Sequence, residues 1–233
     1  METKKHRWQM DLTCGSLEEF WEGRRDFFVA GNMALYFSSL QAKRQDFRAP
    51  DIMVFLDTTA KPDKSWVVWE QEGKTPDVII ELTSESTAAV DRGEKKRVYG
   101  TLLKVPEYFI YDPISGSLEG YQLDLKQMTY QPLRPNMAGR LVSTRLGLEL
   151  GTWEGKFRAL TGTWLRWYTL DGMLVPTFEL KDLRDLLSEC EKSLWHATRA
   201  AVEIRLALRR HRASGDARVL FETLLEARRQ CAG

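Results

Sequence analysis

The chain has 233 residues, of which 43% are hydrophobic and 29% charged, so it is long enough for one domain with a sizeable core and a smaller appendage. This composition excludes an intrinsically disordered chain. The formal net charge of +1 gives no overall basic character, so a nucleic-acid-binding surface would have to be a local patch.

Cysteine usage and hydropathy indicate a reduced, cytoplasmic protein. Cys14, Cys190 and Cys231 are odd in number and far apart, and no CxxC pair occurs, so we expect neither a disulfide framework nor a zinc site. The N-terminal segment lacks the apolar run of a signal peptide. No apolar stretch of about 18 residues occurs, so we expect no membrane span.

The first part of the chain predicts a short helix followed by strands. Ser16 precedes a leucine and two acidic residues, a helix N-cap pattern that predicts a helix over about residues 16–24. Residues 26–37 have the pattern of a strand, a turn and a second strand. Residues 51–56 predict a strong strand and residues 66–69 a short one.

The middle of the chain predicts a crossover between parallel strands. Residues 78–82 are an almost continuous apolar run, typical of a strand buried on both faces, with a single acid, Glu81, inside it. A helical period then covers residues 88–103, and a strand follows at 108–111. A strand, helix and strand in this order place the two strands parallel in one sheet.

Two further patterns complete the predicted sheet and lead into a helical tail. Residues 117–133 predict a hairpin and residues 140–150 a further strand, so the mixed sheet is expected over about 26–150. From residue 177 the apolar residues follow a heptad seam over about four heptads. We therefore predict one domain over 1–176 and a coiled-coil-like helical tail over 177–233.

The heptad seam has two possible partners. It predicts a homodimer or higher oligomer through residues 179–211. The alternative is an intramolecular hairpin with a helix over 217–230, because Ser214-Gly215-Asp216 interrupts the seam. Light scattering distinguishes the two.

The acidic residues of the predicted strands point to a cation. An ionised carboxylate is expensive to bury without a partner, so each should face a cation or a metal ion. Asp77 and Glu81 point the same way on one strand but lie roughly 13 Å apart, which is too far for one ion. Asp51 precedes a strand that can pair with residues 78–82, and it is the expected second carboxylate.

Several motifs, taken in order, resemble one protein family. They are Arg48-Ala49-Pro50-Asp51, the run from Pro76 to Thr87, Asp91-Arg92-Gly93-Glu94-Lys95, Tyr99, and the segment from Val105-Pro106 to Asp112-Pro113. Over roughly residues 25–180 the chain closely resembles a large bacterial family, abundant in cyanobacteria, of predicted restriction endonucleases in the PD-(D/E)XK superfamily. The resemblance implies an α/β, restriction-endonuclease-like mixed sheet flanked by helices. It also implies hydrolysis of phosphodiester bonds in DNA with Mg²⁺ or Mn²⁺.

The candidate site residues follow from the carboxylates and the resemblance. Asp51 and Glu81 are the expected metal ligands and, with Lys95, the expected catalytic residues. The D/E-x-K pattern has its lysine two positions after the acid, where this chain has Thr83. In the resembled family the lysine stands at the position of Lys95. The secondary candidates are Asp77, Thr83 and Tyr99.

Three of the candidates also have a purely structural interpretation. Asp51 would cap a turn, Asp77 would bind backbone amides at a strand entry, and Lys95 would pair with Asp91 on a solvated helix. His6, His196 and His211 lack the spacing of metal ligands, so we do not expect them to hold a metal ion.

Three functions stay open at this point. The first is a metal-dependent DNA endonuclease, in which Lys95→Met should abolish cleavage and leave folding nearly intact. The second is a catalytically inactive nuclease-fold module that binds nucleic acid, which Thr83 and the near-neutral charge favour. The third is an assembly protein that acts through its helical tail.

Overall fold

The computed structural model describes residues 3–38, 47–62, 64–177 and 191–206, the last range without 193, 197 and 200. Contacts within the chain divide it into two units, Met1–Thr177 and Phe178–Gly233.

The described residues of the first unit form two helices and eleven strands. Helix α1 spans Lys4–Phe20. Helix α2 begins with the α-helical Ala88–Val90 and continues through two π-helical segments, Asp91–Lys95 and Val98–Leu102. The strands are β1 Phe27–Gly31, β2 Ala34–Tyr36, β3 Ile52–Leu56, β4 Ser65–Val67, β5 Val78–Leu82, β6 Glu107–Tyr111, β7 Leu118–Asp124, β8 Thr129–Pro132, β9 Leu141–Ser143, β10 Leu148–Phe157 and β11 Leu160–Thr169.

A six-stranded mixed sheet forms the centre of the first unit, in the order β1-β3-β5-β6-β7-β8. The pair β5 and β6 is parallel, and its neighbours pair antiparallel. Helix α2 makes the connection between the two parallel strands, as the strand, helix and strand pattern predicts. The predicted mixed α/β fold is confirmed.

Both faces of this sheet are covered, which explains the continuous apolar runs of its central strands. On one face Val54 and Ile80 belong to a core with Leu17 of α1 and Trp167 of β11. On the other face the core contains Met53, Phe55, Trp66, Ile79, Val98, Tyr99 and Tyr108. Because side chains alternate along a strand, Glu81 lies on the same face as Ile79, toward α2.

Helix α1 differs from the predicted helix over residues 16–24, because it begins at Lys4 and ends at Phe20. Its buried face is partly polar, which hides the helical period in the sequence. The Gln9 amide both donates to the Leu165 carbonyl and accepts from the Leu165 N–H, each at 2.9 Å. A polar side chain thus takes the place of an apolar one where α1 contacts β11.

The sequence predicts that residues 140–150 form one strand of the central sheet, and this prediction is wrong. These residues contain β9 and the start of β10, which belong to a separate three-stranded sheet of order β11-β10-β9. The chain reverses between the two strands, where Gly147 adopts φ 66° and its N–H donates to the Ser143 carbonyl. A second small sheet pairs β2 with β4 in parallel. The strand predicted over 66–69 ends at Val67, where a 3-10 turn begins.

In the second unit, the described residues between 191 and 206 are helical. The rest of the predicted oligomer segment 179–211, and the helix over 217–230, lie outside the described residues. Within the described part, Leu194 is 69% exposed and Trp195 57%. Oligomer formation stays a prediction. No helix in the described ranges is both long and apolar enough to span a bilayer.

Candidate active site

Asp51 lies directly before β3 and faces the end of β5. The antiparallel register pairs Ile52 with Ile80, which brings position 51 across from Glu81. One Asp51 oxygen accepts a hydrogen bond from the Leu82 N–H at 2.7 Å, and the other lies 2.9 Å from Nε2 of His6. Asp51 therefore fixes the junction of two strands and one helix, which is more than the capping of a local turn.

Glu81 is buried, with 1% of its surface exposed, and both of its carboxylate oxygens have partners. The Tyr99 hydroxyl donates to Oε1 at 2.7 Å, and the Lys95 ammonium lies 2.9 Å from Oε2. Burial raises the pKa of Glu81 to about 8 against the opposing effect of Lys95, and the charge of Asp51 adds to the rise. The carboxylate is thus costly to ionise without added positive charge.

Lys95 lies between two carboxylates. Its Nζ is 2.9 Å from Glu81 and 2.9 Å from Asp91, which precedes it by one helical turn. Although burial favours the neutral amine, these two acids raise the pKa of Lys95, so it stays an ammonium. The sequence left open whether Lys95 joins Glu81 at the site or pairs with Asp91 on the helix. The structure contains both contacts. Its role in catalysis stays a prediction.

The π-helical turn Asp91–Lys95 carries both members of this ion pair. Such turns are rare in proteins and often occur at functional sites. Tyr99, which contacts Glu81, belongs to the next π-helical segment, Val98–Leu102. Burial, together with the neighbouring Glu81, raises the pKa of Tyr99 far above its usual range, so its hydroxyl remains a donor.

Thr83 occupies the position of the lysine in the D/E-x-K pattern and carries no charge. It is buried, its N–H donates to the Tyr111 carbonyl at 2.7 Å, and its hydroxyl lies 3.4 Å from that of Thr87. The positive charge of the site therefore comes from α2 and not from β5.

Asp77 lies at the opposite end of β5 and is not part of this group. Its carboxylate accepts a hydrogen bond from the Leu56 N–H at 2.8 Å, lies 2.8 Å from the Lys74 ammonium and contacts the Arg145 guanidinium. These contacts link the start of β5 to the end of β3 and to the turn between β9 and β10. They match the structural interpretation of this residue.

The sequence predicts neither the contact of His6 with Asp51 nor the burial of Asp91, which it gives only as the partner of Lys95 on a solvated helix. His6 reaches Asp51 from α1, and Asp91 is buried, with neither carboxylate oxygen hydrogen-bonded to a described residue. The Lys95 ammonium nevertheless lies within ion-pair distance of Asp91. The signal for His6 was its position one helical turn before Gln9 and Met10, both of which are buried on α1.

The donor set suits a hard divalent cation. Asp51, Glu81 and Asp91 outnumber the one ammonium among them, and oxygen ligands are those that Mg²⁺ and Mn²⁺ prefer. Among the residues that the structure describes, no group of three or more His, Cys, Asp or Glu is arranged to hold a metal ion. Two carboxylates are sufficient for Mg²⁺, because it usually keeps several waters and takes further ligands from substrate phosphates.

A cavity of about 340 Å³ opens beside Asp51. It is lined by residues from the start of α1, the turn after β1, the position before β3, the end of β5 with the segment after it, and the turn after β6. These residues are Thr3, Lys5, His6, Asn32, Asp51, Leu82, Thr83, Ser84, Ser86, Thr87, Pro113 and Ile114. The cavity gives a ligand access to the Asp51 carboxylate.

Residues 1–161 match the model of the protein family Uma2, described as "Putative restriction endonuclease". The chain belongs to the Uma2 family. The resemblance seen in the sequence motifs is thereby confirmed, and the Uma2 match supports a nuclease-like function. The matched range includes α1 with His6 as well as the Asp51, Glu81 and Lys95 group.

One solved structure similar to this Uma2 protein is a putative nuclease belonging to DUF820 from Anabaena variabilis. The two are 13% identical, with a TM-score of 0.45, over 63% of this chain and 75% of that one. No curated protein matches the chain.

Proposed function

We propose that this Uma2 protein is an endonuclease that hydrolyses phosphodiester bonds of DNA with the help of Mg²⁺ or Mn²⁺. The supporting observation is the Lys95 ammonium, which reaches the buried Glu81 carboxylate across from Asp51. Restriction-endonuclease-like families generally use divalent metals. Asp51 and Glu81 would hold the ion, which would supply Lewis-acid chemistry at the scissile phosphate.

The side chains of the site have distinct tasks in this proposal. Lys95 keeps its positive charge and stabilises the negative charge that develops on the phosphate during hydrolysis. Tyr99 holds one Glu81 oxygen by a hydrogen bond at 2.7 Å. The Leu82 N–H and His6 hold the two Asp51 oxygens, so both carboxylates are oriented before substrate arrives.

Burial adds to the effect of these charges. Glu81 and Asp91 are each 1% exposed, and electrostatic interactions strengthen where water is excluded. Because burial raises the pKa of Glu81, a positive charge beside its carboxyl group lowers that pKa and favours the ionised form. Cation binding and ionisation of Glu81 are therefore coupled.

The main alternative is a nuclease-fold module that binds nucleic acid without cleaving it. The sequence favoured it through Thr83, which leaves the usual lysine position without charge. Lys95 supplies that charge from α2, at 2.9 Å from the same carboxylate. This contact favours the enzyme over the module.

Cleavage of closed circular DNA tests the proposal, because a molecule without ends reports endonucleolytic cuts alone. We expect nicked and linear products with Mg²⁺ or Mn²⁺ and none with EDTA. Linear duplex DNA and single-stranded RNA of similar length, assayed in parallel, establish the substrate class. Metal-independent binding of DNA without any cleavage would instead support the inactive module.

A further inference from the structure

The cavity beside Asp51 has features that the proposed chemistry does not use. Glu81 and Lys95 do not line it, whereas Lys5 and His6 of α1 do. The lining also contains four hydroxyl groups from the segment that follows β5. They belong to Thr83, Ser84, Ser86 and Thr87. Two separate elements thus bring hydrogen-bond donors to one space next to the carboxylate.

Lys5 is the principal cation of this space. Its ammonium donates a hydrogen bond to the Pro113 carbonyl and lies 5.8 Å from the centre of the Trp164 ring. No carboxylate within the described ranges forms an ion pair with Lys5. One donor hydrogen is used by Pro113, so two remain for a ligand. The contact with Pro113 also holds the side chain in place, which lowers the entropy cost of binding.

The negative charge of the cavity lining is confined to one residue, the proposed metal ligand Asp51. Asp51 is the single acid in the lining, and its oxygens are occupied by His6 and the Leu82 N–H. The hydroxyl of Ser84 lies 3.0 Å from that of Ser86 and 3.2 Å from that of Thr87. A fixed cation and a group of hydroxyls that line the same cavity suit an anion with several acceptor oxygens.

We infer that this cavity binds a backbone phosphate of the nucleic acid, next to the bond that is cut, with Lys5 as the charged contact and the Ser84, Ser86 and Thr87 hydroxyls as further donors. The inference rests on the proposed function, since Asp51 lies in the same cavity. It gives α1 a role in holding substrate. The shared chemistry is a phosphate group, which free phosphate also offers, so the test separates the two sources.

Salt dependence of DNA binding measures a single phosphate contact directly. The logarithm of the affinity falls linearly with the logarithm of the salt concentration, and each neutralised phosphate contributes about 0.9 to the magnitude of this slope. Fluorescence anisotropy of a labelled duplex, with Ca²⁺ in place of Mg²⁺, is recorded over about 50–200 mM salt. Lys5→Met should reduce the slope by about 0.9 and weaken binding roughly eightfold near 0.1 M salt.

Lys4→Met is the matched control, because Lys4 is an exposed neighbour on α1 whose ammonium lies over the Trp8 ring and outside the cavity. It removes the same charge and should leave the slope unchanged. Lys5→Arg should keep most of the slope and guards against a folding defect from loss of the Pro113 contact. Equal slopes for the Lys5→Met and Lys4→Met variants would overturn the inference.

Two further results separate this inference from the proposed function. A wild-type protein that cleaves DNA while the Lys5→Met variant binds like the Lys4→Met variant would refute the phosphate contact alone. A wild-type protein that neither binds nor cleaves the duplex would refute both. Inorganic phosphate that raises the melting temperature as much as the duplex does would assign the cavity to a free anion and overturn the backbone assignment.

Discussion

The ammonium of Lys95 lies 2.9 Å from the Glu81 carboxylate, and this contact joins helix α2 to the strand from which the helix departs. Because Lys95 also contacts Asp91 at 2.9 Å, one cation partly neutralises two buried acids. The site is therefore sensitive to changes on either element.

Replacement of Lys95 by methionine should abolish cleavage, because the developing charge on the phosphate would lose its ammonium partner. It should also lower the free energy of unfolding by about 3 kcal/mol, since the buried Asp91 would lose its cation and the buried Glu81 its polar partner. The sequence alone predicted nearly intact folding for this variant, and the buried position of Glu81 and Asp91 changes that expectation. Cleavage assays and urea denaturation measure the two effects.

Lys96→Met is the control for this variant, because the Lys96 ammonium lies 3.3 Å from the centre of the Tyr121 ring and not between carboxylates. It should leave cleavage close to wild type. A Lys95→Met variant that cleaves at the rate of the Lys96→Met variant would remove Lys95 from the proposed chemistry.

Divalent cations should stabilise the wild-type protein through Asp51 and Glu81. At an ion concentration about 100 times its dissociation constant, mass action contributes about 2.7 kcal/mol, or roughly 5–10 °C in melting temperature for a chain of this length. The Asp51→Ala/Glu81→Ala double variant should show no such shift, whereas Glu154→Ala, which changes an exposed acid on β10, should respond normally. Equal shifts in all three proteins would argue against a metal site at these carboxylates.

Asp77 should contribute to stability and not to cation binding. Asp77→Ala removes the acceptor of the Leu56 N–H and the partner of the Lys74 and Arg145 cations. We expect the free energy of unfolding to fall by about 2 kcal/mol. The thermal shift caused by Mg²⁺ should persist in this variant, and its loss would place Asp77 in the metal site.

Ionisation of Glu81 should make the metal-free protein less stable at high pH. Its pKa is raised from 4.5 to about 8 in the folded state, so between these values the folded protein holds a proton that the unfolded chain releases. Stability must then fall as pH rises through this window. Urea denaturation in EDTA from pH 5 to pH 9 should show a steeper decline for wild type than for Glu81→Gln. Parallel curves would contradict the raised pKa.

The central sheet was predictable because its signals are local. The run Val78–Leu82 and the helical period after it specify a buried strand and a crossover, and both occur where the sequence places them. The pairing of Asp51 with the end of β5 follows from the strand order. Glu81 stood out as a candidate because a single acid in an apolar strand needs a partner.

The contribution of α1 could not be predicted in the same way. Its buried face carries Gln9, Thr13 and Ser16, whose polarity is balanced by hydrogen bonds to distant backbone or to the helix itself. Such bonds depend on tertiary contacts, which leave no periodic apolar signal. For the same reason the sequence does not predict the contact of His6 with Asp51, and it assigns residues 140–150 to the central sheet although they belong to a separate one.

The most direct test of the proposed metal-dependent nuclease site compares closed circular DNA incubated with wild type, Asp51→Asn and Glu81→Gln at equal protein concentration. We expect nicking by the wild type that begins on addition of Mg²⁺ and stops with EDTA. Either variant should lose at least about a hundredfold in rate, since each removes a charge that orients the reacting groups. Nicking that persists in both variants, or that is indifferent to EDTA, would contradict the proposed site.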